Sequence, residues 1–212
     1  MTSEKHITQL RVVNKRGSRR VVVETDDGAV VELDPEIVVR HGIKSGAAVS
    51  DQEIETWQRE DELLRARQRL TNYLALRVKS VADARLYLEK TGFSEAAVAS
   101  AVAHAVERDL LDDRRFAERY MRTKIKTATV GPLRLVGELV SHGIEPSLAE
   151  QVVESEYGHD RQVETATKIA TKRVKKGFGN TDKDKVAAVH DLLTRRGFDD
   201  DVACKVAERA TR

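Results

Sequence analysis

A short turn signal recurs three times in the last two-thirds of the chain, each time between two segments of helical periodicity. The three copies read Gly92-Phe93-Ser94-Glu95, Gly143-Ile144-Glu145-Pro146 and Gly197-Phe198-Asp199-Asp200. The glycines lie 51 residues apart in the first interval, from 92 to 143, and 54 in the second, from 143 to 197. A nearly constant interval of this length predicts a tandem array of helical units, in which each unit buries its apolar face against its neighbours.

Apolar residues precede each glycine at equivalent positions. Four, eight and eleven residues before it lie Leu88, Ala84 and Val81 in the first copy, Leu139, Leu135 and Pro132 in the second, and Leu193, Val189 and Val186 in the third. These spacings fall on one face of a helix. We expect the glycine to take the left-handed conformation that ends a helix, and the polar residue two positions later to begin the next one. A longer helix is predicted before each pair, at residues 51–76, 113–127 and 160–176.

The first fifty residues have a different pattern. Runs of β-branched residues occupy positions 7–13, 20–24 and 30–33, and Asp26-Asp27-Gly28 between the last two is a strong hairpin signal. We therefore predict a small module of three or four strands. The predicted domains are a β-rich module at 1–50 and three helical units at 51–111, 112–158 and 159–212.

Composition favours a helical protein of the cytoplasm. Charged residues make up 34 % of the chain and aromatic residues 4 %, as in long solvated helices with aliphatic interiors. No apolar run approaches the roughly 18 residues of a membrane span, and the first five residues lack the apolar stretch of a signal peptide. The single Cys204 has apolar neighbours and is predicted to be a buried thiol in a reducing compartment. No heptad seam requires a dimer, so a monomer is expected.

Basic residues are concentrated on the leading helices of the second and third units, although the net charge is only +2. The ordinary interpretation of any one of them is a solvated helix face. As two groups in neighbouring units they favour a binding surface for phosphates or for an acidic protein. The candidate binding residues are Arg119, Arg122, Lys126, Arg134, Lys172, Arg173, Lys175 and Lys176.

Patterns typical of catalysis are missing from the sequence. Asp112-Asp113 precedes a helix and is interpreted as a cap for its backbone N–H groups rather than as a catalytic pair. The six histidines show no metal-ligand spacing, and no phosphate-binding glycine loop occurs. Residues 95–106 contain no basic residue, which argues against a base-reading helix. We expect neither an enzyme nor a metal or other cofactor.

Four stretches of the chain resemble one known family. They are Leu110-Leu111-Asp112-Asp113-Arg114-Arg115-Phe116-Ala117, Gly131-Pro132-Leu133-Arg134, Glu138-Leu139 with Gly143-Ile144, and Arg195-Arg196-Gly197-Phe198. In combination and at these spacings they resemble the RecX family, bacterial regulators of the RecA recombinase. The similarity extends over about residues 70–210.

The resemblance implies a mainly α-helical fold, an elongated and curved array of three three-helix units, here preceded by the β-rich module. It also implies a non-enzymatic regulator that lodges in the groove of a RecA–DNA filament and reduces ATPase and strand-exchange activity, in recombination and SOS repair. The alternative is a DNA-binding protein without sequence specificity that uses the same cations on phosphates. The role of the β-rich module is left open.

Overall fold

The computed structural model describes residues 5–15, 18–127, 129–175 and 181–211. Over these residues the chain is mainly helical, with a small antiparallel sheet at its start. The contact pattern divides it into two compact units. The first runs to residue 76 and resumes over 85–108, and the second consists of 77–84 and the chain from 109 onward.

The first unit begins with a sheet of four strands in the order β3-β2-β1-β4, which confirms the predicted module. The strands are β1 (Lys5–Lys15), β2 (Ser18–Thr25), β3 (Val30–Leu33) and β4 (Ala48–Val49), with the short helix α1 (Pro35–Arg40) between the last two. The β2–β3 hairpin turns at Gly28, whose φ of 85° is left-handed, as expected for Asp-Gly. Strands β2 and β3, on either side of this turn, pair in antiparallel orientation.

Helix α2 (Asp51–Leu74) covers the apolar face of the sheet. It begins at a complete capping box, in which Ser50 and Glu53 exchange side-chain and backbone hydrogen bonds. Its residues Ile54 and Trp57 are buried in one cluster with the apolar residues of the strands. Two further helices, α3 (Val81–Lys90) and α4 (Glu95–Glu107), complete the first repeat, and α4 packs along α2.

The second and third repeats each contain three helices with their own core. They are α5 (Asp113–Ile125), α6 (Pro132–Ser141) and α7 (Pro146–Glu156), followed by α8 (His159–Lys175), α9 (Asp182–Arg195) and α10 (Asp200–Ala210). Phe116, Leu139 and Tyr157 are central to the first of these cores, and Leu193 and Phe198 to the other. The predicted order of three three-helix repeats after a β-rich module is therefore confirmed.

The three glycine turns have the same backbone geometry. Gly92, Gly143 and Gly197 have φ values of 86°, 77° and 86°. In each turn the residue after the glycine donates its N–H to the carbonyl of the leucine that lies four positions before that glycine. The three distances are 3.5, 3.2 and 3.1 Å. This is the bond of a Schellman cap, and it folds the apolar residue back onto the helix just ended.

Equivalent residues also join consecutive repeats within the second unit. Ser80 donates its hydroxyl to the carbonyl of His142 at 2.7 Å, and the Gly131 N–H donates to the carbonyl of Arg196 at 2.8 Å. Both donors lie twelve residues before the glycine of their own repeat, and both acceptors lie directly before the next one. The starts of α3 and α6 therefore each dock onto the glycine turn of the next repeat.

The prediction of a buried Cys204 is wrong, because its thiol is exposed. The buried stripe of α10 consists of Val202, Ala203, Val206 and Ala207. Cys204 lies two residues from Val202, a rotation of about 200° that places it on the opposite side of the helix. No helix in the described part of the chain is long and apolar enough to cross a membrane.

Candidate functional site

A basic groove of about 800 Å³ lies in the second unit, between the end of α5, the exposed face of α8 and the end of α9. Six of its lining residues are basic and one, Glu164, is acidic. The basic residues are Lys126, Arg161, Lys168, Lys172, Arg173 and Arg196. Such an excess of one charge in a concave surface concentrates the electrostatic potential there and attracts anions.

Helix α8 supplies most of the cations because its opposite face is in the core. Ala166, Ile169 and Ala170 are buried against α9 and α10. Arg161 and Lys172 lie eleven residues apart, or about three turns, so both point from the face that the core leaves exposed. The side of α8 that lines the groove is thus fixed by the apolar stripe.

The junction at Gly131 brings the two walls of the groove together. Arg196 donates through Nη1 to the carbonyl of Thr129 at 2.8 Å, and its own carbonyl accepts from Gly131. A Cβ atom on Gly131 would lie 2.2 Å from the carbonyl oxygen of Gly197, so this close approach requires glycine. The groove therefore depends on a backbone contact between the second and third repeats.

Charge within the groove is only partly compensated. The Lys168 ammonium and the Glu164 carboxylate form an ion pair at 2.6 Å across one helical turn. Lys168 thereby holds the pKa of Glu164 below its usual value. With that pair neutral, the remaining lining cations give the groove a net positive charge.

Three of the predicted site residues lie together in this groove. Lys126 at the end of α5 lines the same groove as Lys172 and Arg173 of α8, although 46 residues separate Lys126 from Lys172 in sequence. Lys175 lines a shallower depression along α8, beside Lys168 and Lys172. Lys176 lies outside the described residues.

The other predicted residues lie elsewhere on the second unit. Arg122 is bonded through Nε and Nη2 to Glu156, both at 3.2 Å, and this carboxylate raises the pKa of Arg122. Arg119 lines a different small depression, together with Tyr120 and Lys124. Arg134 is exposed on α6 beside the Gly197 turn. Arg119 and Arg122 therefore do not line the groove that Lys126 lines, although the three residues follow one another at helical spacing along α5.

Arg161 and Arg196 line the groove, but sequence reasoning missed both. Arg161 follows a block of acidic residues, so a count of charge by segment conceals it. Arg196 lies directly before the third turn glycine. That position could have indicated a groove residue, because consecutive repeats contact each other there.

The acidic pair Asp112-Asp113 has the structural role predicted for it. Asp112 caps α5 by accepting from the N–H of Arg115 at 3.0 Å. Asp113 accepts from the N–H of Val81, the first residue of α3, at 2.9 Å. Among the described residues, no group of three His, Cys, Asp or Glu side chains is placed to hold a metal ion.

Comparison with known proteins identifies relatives over nearly the whole chain. Residues 112–153 match the family model described as RecX, second three-helix domain. Regulatory protein RecX from Listeria innocua is 30 % identical over 199 residues, which cover 94 % of this chain and 74 % of the relative. The same-named protein from Bacillus pumilus is 29 % identical over 205 residues, covering 97 % and 77 %.

Two solved structures share the fold. One, described as regulatory protein RecX, superposes with a TM-score of 0.73 at 21 % identity, over 93 % of this chain and 96 % of the other. RecX from Lactobacillus salivarius superposes with a TM-score of 0.64 at 22 % identity, over 71 % and 97 %.

A small antiparallel sheet, three consecutive three-helix repeats and a basic groove where two repeats join define a helical-repeat protein with a surface suited to anions. The relatives identify the family to which this helical-repeat protein belongs. The chain belongs to the RecX family of regulatory proteins.

Proposed function

We propose that this chain is a non-enzymatic cytoplasmic regulator that binds filaments of the RecA recombinase and lowers their ATPase and strand-exchange activity. The observation that carries the proposal is the basic groove of the second unit, in a chain of the RecX family. Cations from two consecutive repeats converge there, and Lys126, Lys172 and Arg173 were candidates from sequence alone.

A nucleoprotein filament presents both acidic side chains and phosphates at regular intervals. A protein built from repeats can contact such a target at more than one point, and each further contact is then intramolecular. The groove suits this because its charge comes from side chains spread along three turns of α8 and from the ends of α5 and α9. Either a carboxylate-rich protein surface or a phosphate backbone would complement it.

Reversal of three groove cations tests the proposal. Arg161→Glu, Lys126→Glu and Lys172→Glu together should raise the concentration needed to inhibit ATP turnover by preformed RecA–single-stranded DNA filaments at least about tenfold, because charges of equal sign then face the filament. The matched control reverses Lys183, Lys205 and Arg209, which are exposed in the second unit and do not line the groove. Equal loss of inhibition in both triple variants would refute the assignment of this surface.

The same groove also supports a second candidate, a stand-alone DNA-binding protein without sequence specificity. Lysines and arginines on phosphates give affinity without reading bases. Capture of RecA by this chain in the absence of DNA separates the two. Binding to DNA with no capture of RecA favours the second candidate.

A further inference from the structure

The first unit has a polar groove of its own, distinct from the basic groove of the second unit. Its volume is about 980 Å³, and it lies between strands β1 and β2, helix α2 and the turn from α3 to α4. All its lining residues belong to the first unit. The family model that matches this chain covers residues 112–153 and includes none of them. Four of its lining residues are basic and one, Glu32, is acidic.

A buried ion pair fixes the floor of this groove. Arg20 donates to both carboxylate oxygens of Asp61, at 2.9 and 2.8 Å, and to the carbonyl of Glu32 at 2.7 Å. Asp61 also accepts from Nε of Arg65 at 2.9 Å. This network ties strand β2 to helix α2, so the two walls are held at a set distance before any ligand arrives.

The α2 wall carries an alternating set of cations and amides. Arg65 and Arg69 lie one turn apart, and so do Gln68 and Asn72. The Arg65 guanidinium lies 6.0 Å from the ring centre of Phe93, and that of Arg69 lies 5.7 Å from the ring of Tyr87. These cation–π contacts order the two guanidinium groups while both side chains remain exposed.

Phe93 departs from the pattern of its repeat. The residues equivalent to it, Ile144 and Phe198, are each only 1 % exposed. Phe93 is half-buried, and its ring lines the groove. The turns at Gly143 and Gly197 lie against the start of another helix, whereas the turn at Gly92 does not, and this leaves the Phe93 ring available to the groove.

We propose that this groove binds a single strand of nucleic acid. Arg65 and Arg69 are about 6 Å apart along the helix axis, a separation that consecutive phosphates of an unstacked strand can span. Gln68 and Asn72 then face the sugars and base edges, and the Phe93 ring packs against a base. Cations, amides and an aromatic ring in one groove are the set used by single-strand sites. An acidic peptide would leave the amides and the ring unused. This groove would bind the strand whether or not RecA is the partner of the second unit.

The test measures binding of a labelled oligothymidylate to the full chain, without RecA, over a range of salt concentrations. Arg69→Glu should weaken binding roughly fivefold and lower the log–log salt slope by about 0.7, the value for one lost phosphate contact on a single strand. Gln68→Ala with Asn72→Ala should weaken binding at an unchanged slope, because amides do not displace counterions. Arg59→Glu is the matched control, since Arg59 is exposed on the same helix outside the groove.

Ultraviolet cross-linking distinguishes this site from the groove of the second unit, and cross-links are expected at Phe93. Circular dichroism establishes that each variant is folded. Equal weakening by Arg69→Glu and Arg59→Glu would overturn the proposal, as would cross-links confined to residues after 109. Displacement of the oligonucleotide by polyglutamate at equal charge concentration would overturn it too, in favour of an acidic protein partner.

Discussion

At the scale of single residues, Asp61 of α2 joins its helix to strand β2 and to the start of α1. It is 2 % exposed and accepts four hydrogen bonds: two from Arg20, one from Arg65 and one from the backbone N–H of Asp34 at 2.6 Å. Arg20 is itself only 7 % exposed. A buried pair of this kind adds little compared with an apolar pair, but loss of one partner leaves the other charge buried without its best hydrogen-bond acceptor.

Asp61→Ala should therefore lower the free energy of unfolding by about 3 kcal/mol, the lower end of the usual cost of breaking a buried pair, because Glu32 at 3.4 Å and Asp34 at 3.9 Å still face Arg20. Urea denaturation followed by circular dichroism measures it. Glu55→Ala, an exposed acidic residue of the same helix, should stay within about 0.5 kcal/mol of the parent. A loss of similar size in both variants would mean that Arg20 is solvated once Asp61 is removed.

At the scale of elements, the turn glycines have two separate roles. All three need a left-handed φ, which costs a residue with a side chain about 1 to 2 kcal/mol. Gly143 and Gly197 also lie against the start of another helix. A Cβ atom on Gly143 would be 2.2 Å from Cβ of Ala82, whereas one on Gly92 would have no heavy atom within 4 Å.

Gly92→Ala and Gly143→Ala form a matched pair that separates these roles. Gly92→Ala should cost about 1 to 2 kcal/mol of stability for backbone strain alone. Gly143→Ala should cost about 1 to 3 kcal/mol more, because the added methyl group forces apart two backbones joined by the Ser80–His142 bond. Equal costs, measured by denaturant unfolding of both variants, would show that the junction adapts to the extra atom.

The sequence predicted the helices and their turns because those signals are local. Glycine, the apolar residue after it and the capping residue lie within four positions of one another. The sequence did not predict the junctions between repeats, because the Ser80–His142 bond joins residues that are 62 positions apart. The buried residues of α2 include Asp61, which helical periodicity does not predict because its burial depends on an arginine from β2. Lys126 and Lys172 were candidates because they belong to local clusters of basic residues. Arg161 and Arg196 could be assigned to the groove only once the fold had brought the two repeats together.

At the scale of the whole molecule, the net charge of +2 is too small to explain strong attraction to a polyanion. Attraction must then come from local grooves rather than from the sum of charges. The net charge of a variant and the number of cations in its groove can therefore be varied independently. A variant can lose three cations from the groove of the second unit, or three from elsewhere, and reach the same net charge of −1, since +2 minus 3 is −1.

Neutralisation of Lys126, Arg161 and Lys172 to glutamine should lower the log–log salt slope of duplex DNA binding by about 2.7, or 0.9 for each phosphate contact. Neutralisation of Lys183, Lys205 and Arg209 should leave the slope unchanged, because these side chains do not line the groove. Titrations at several salt concentrations measure both slopes. Equal slopes for the two variants would show that total charge governs binding, and the groove would then have no special role. Different slopes at identical net charge can arise only from where the cations lie, which is determined by how the second and third repeats join at Gly131 and Arg196.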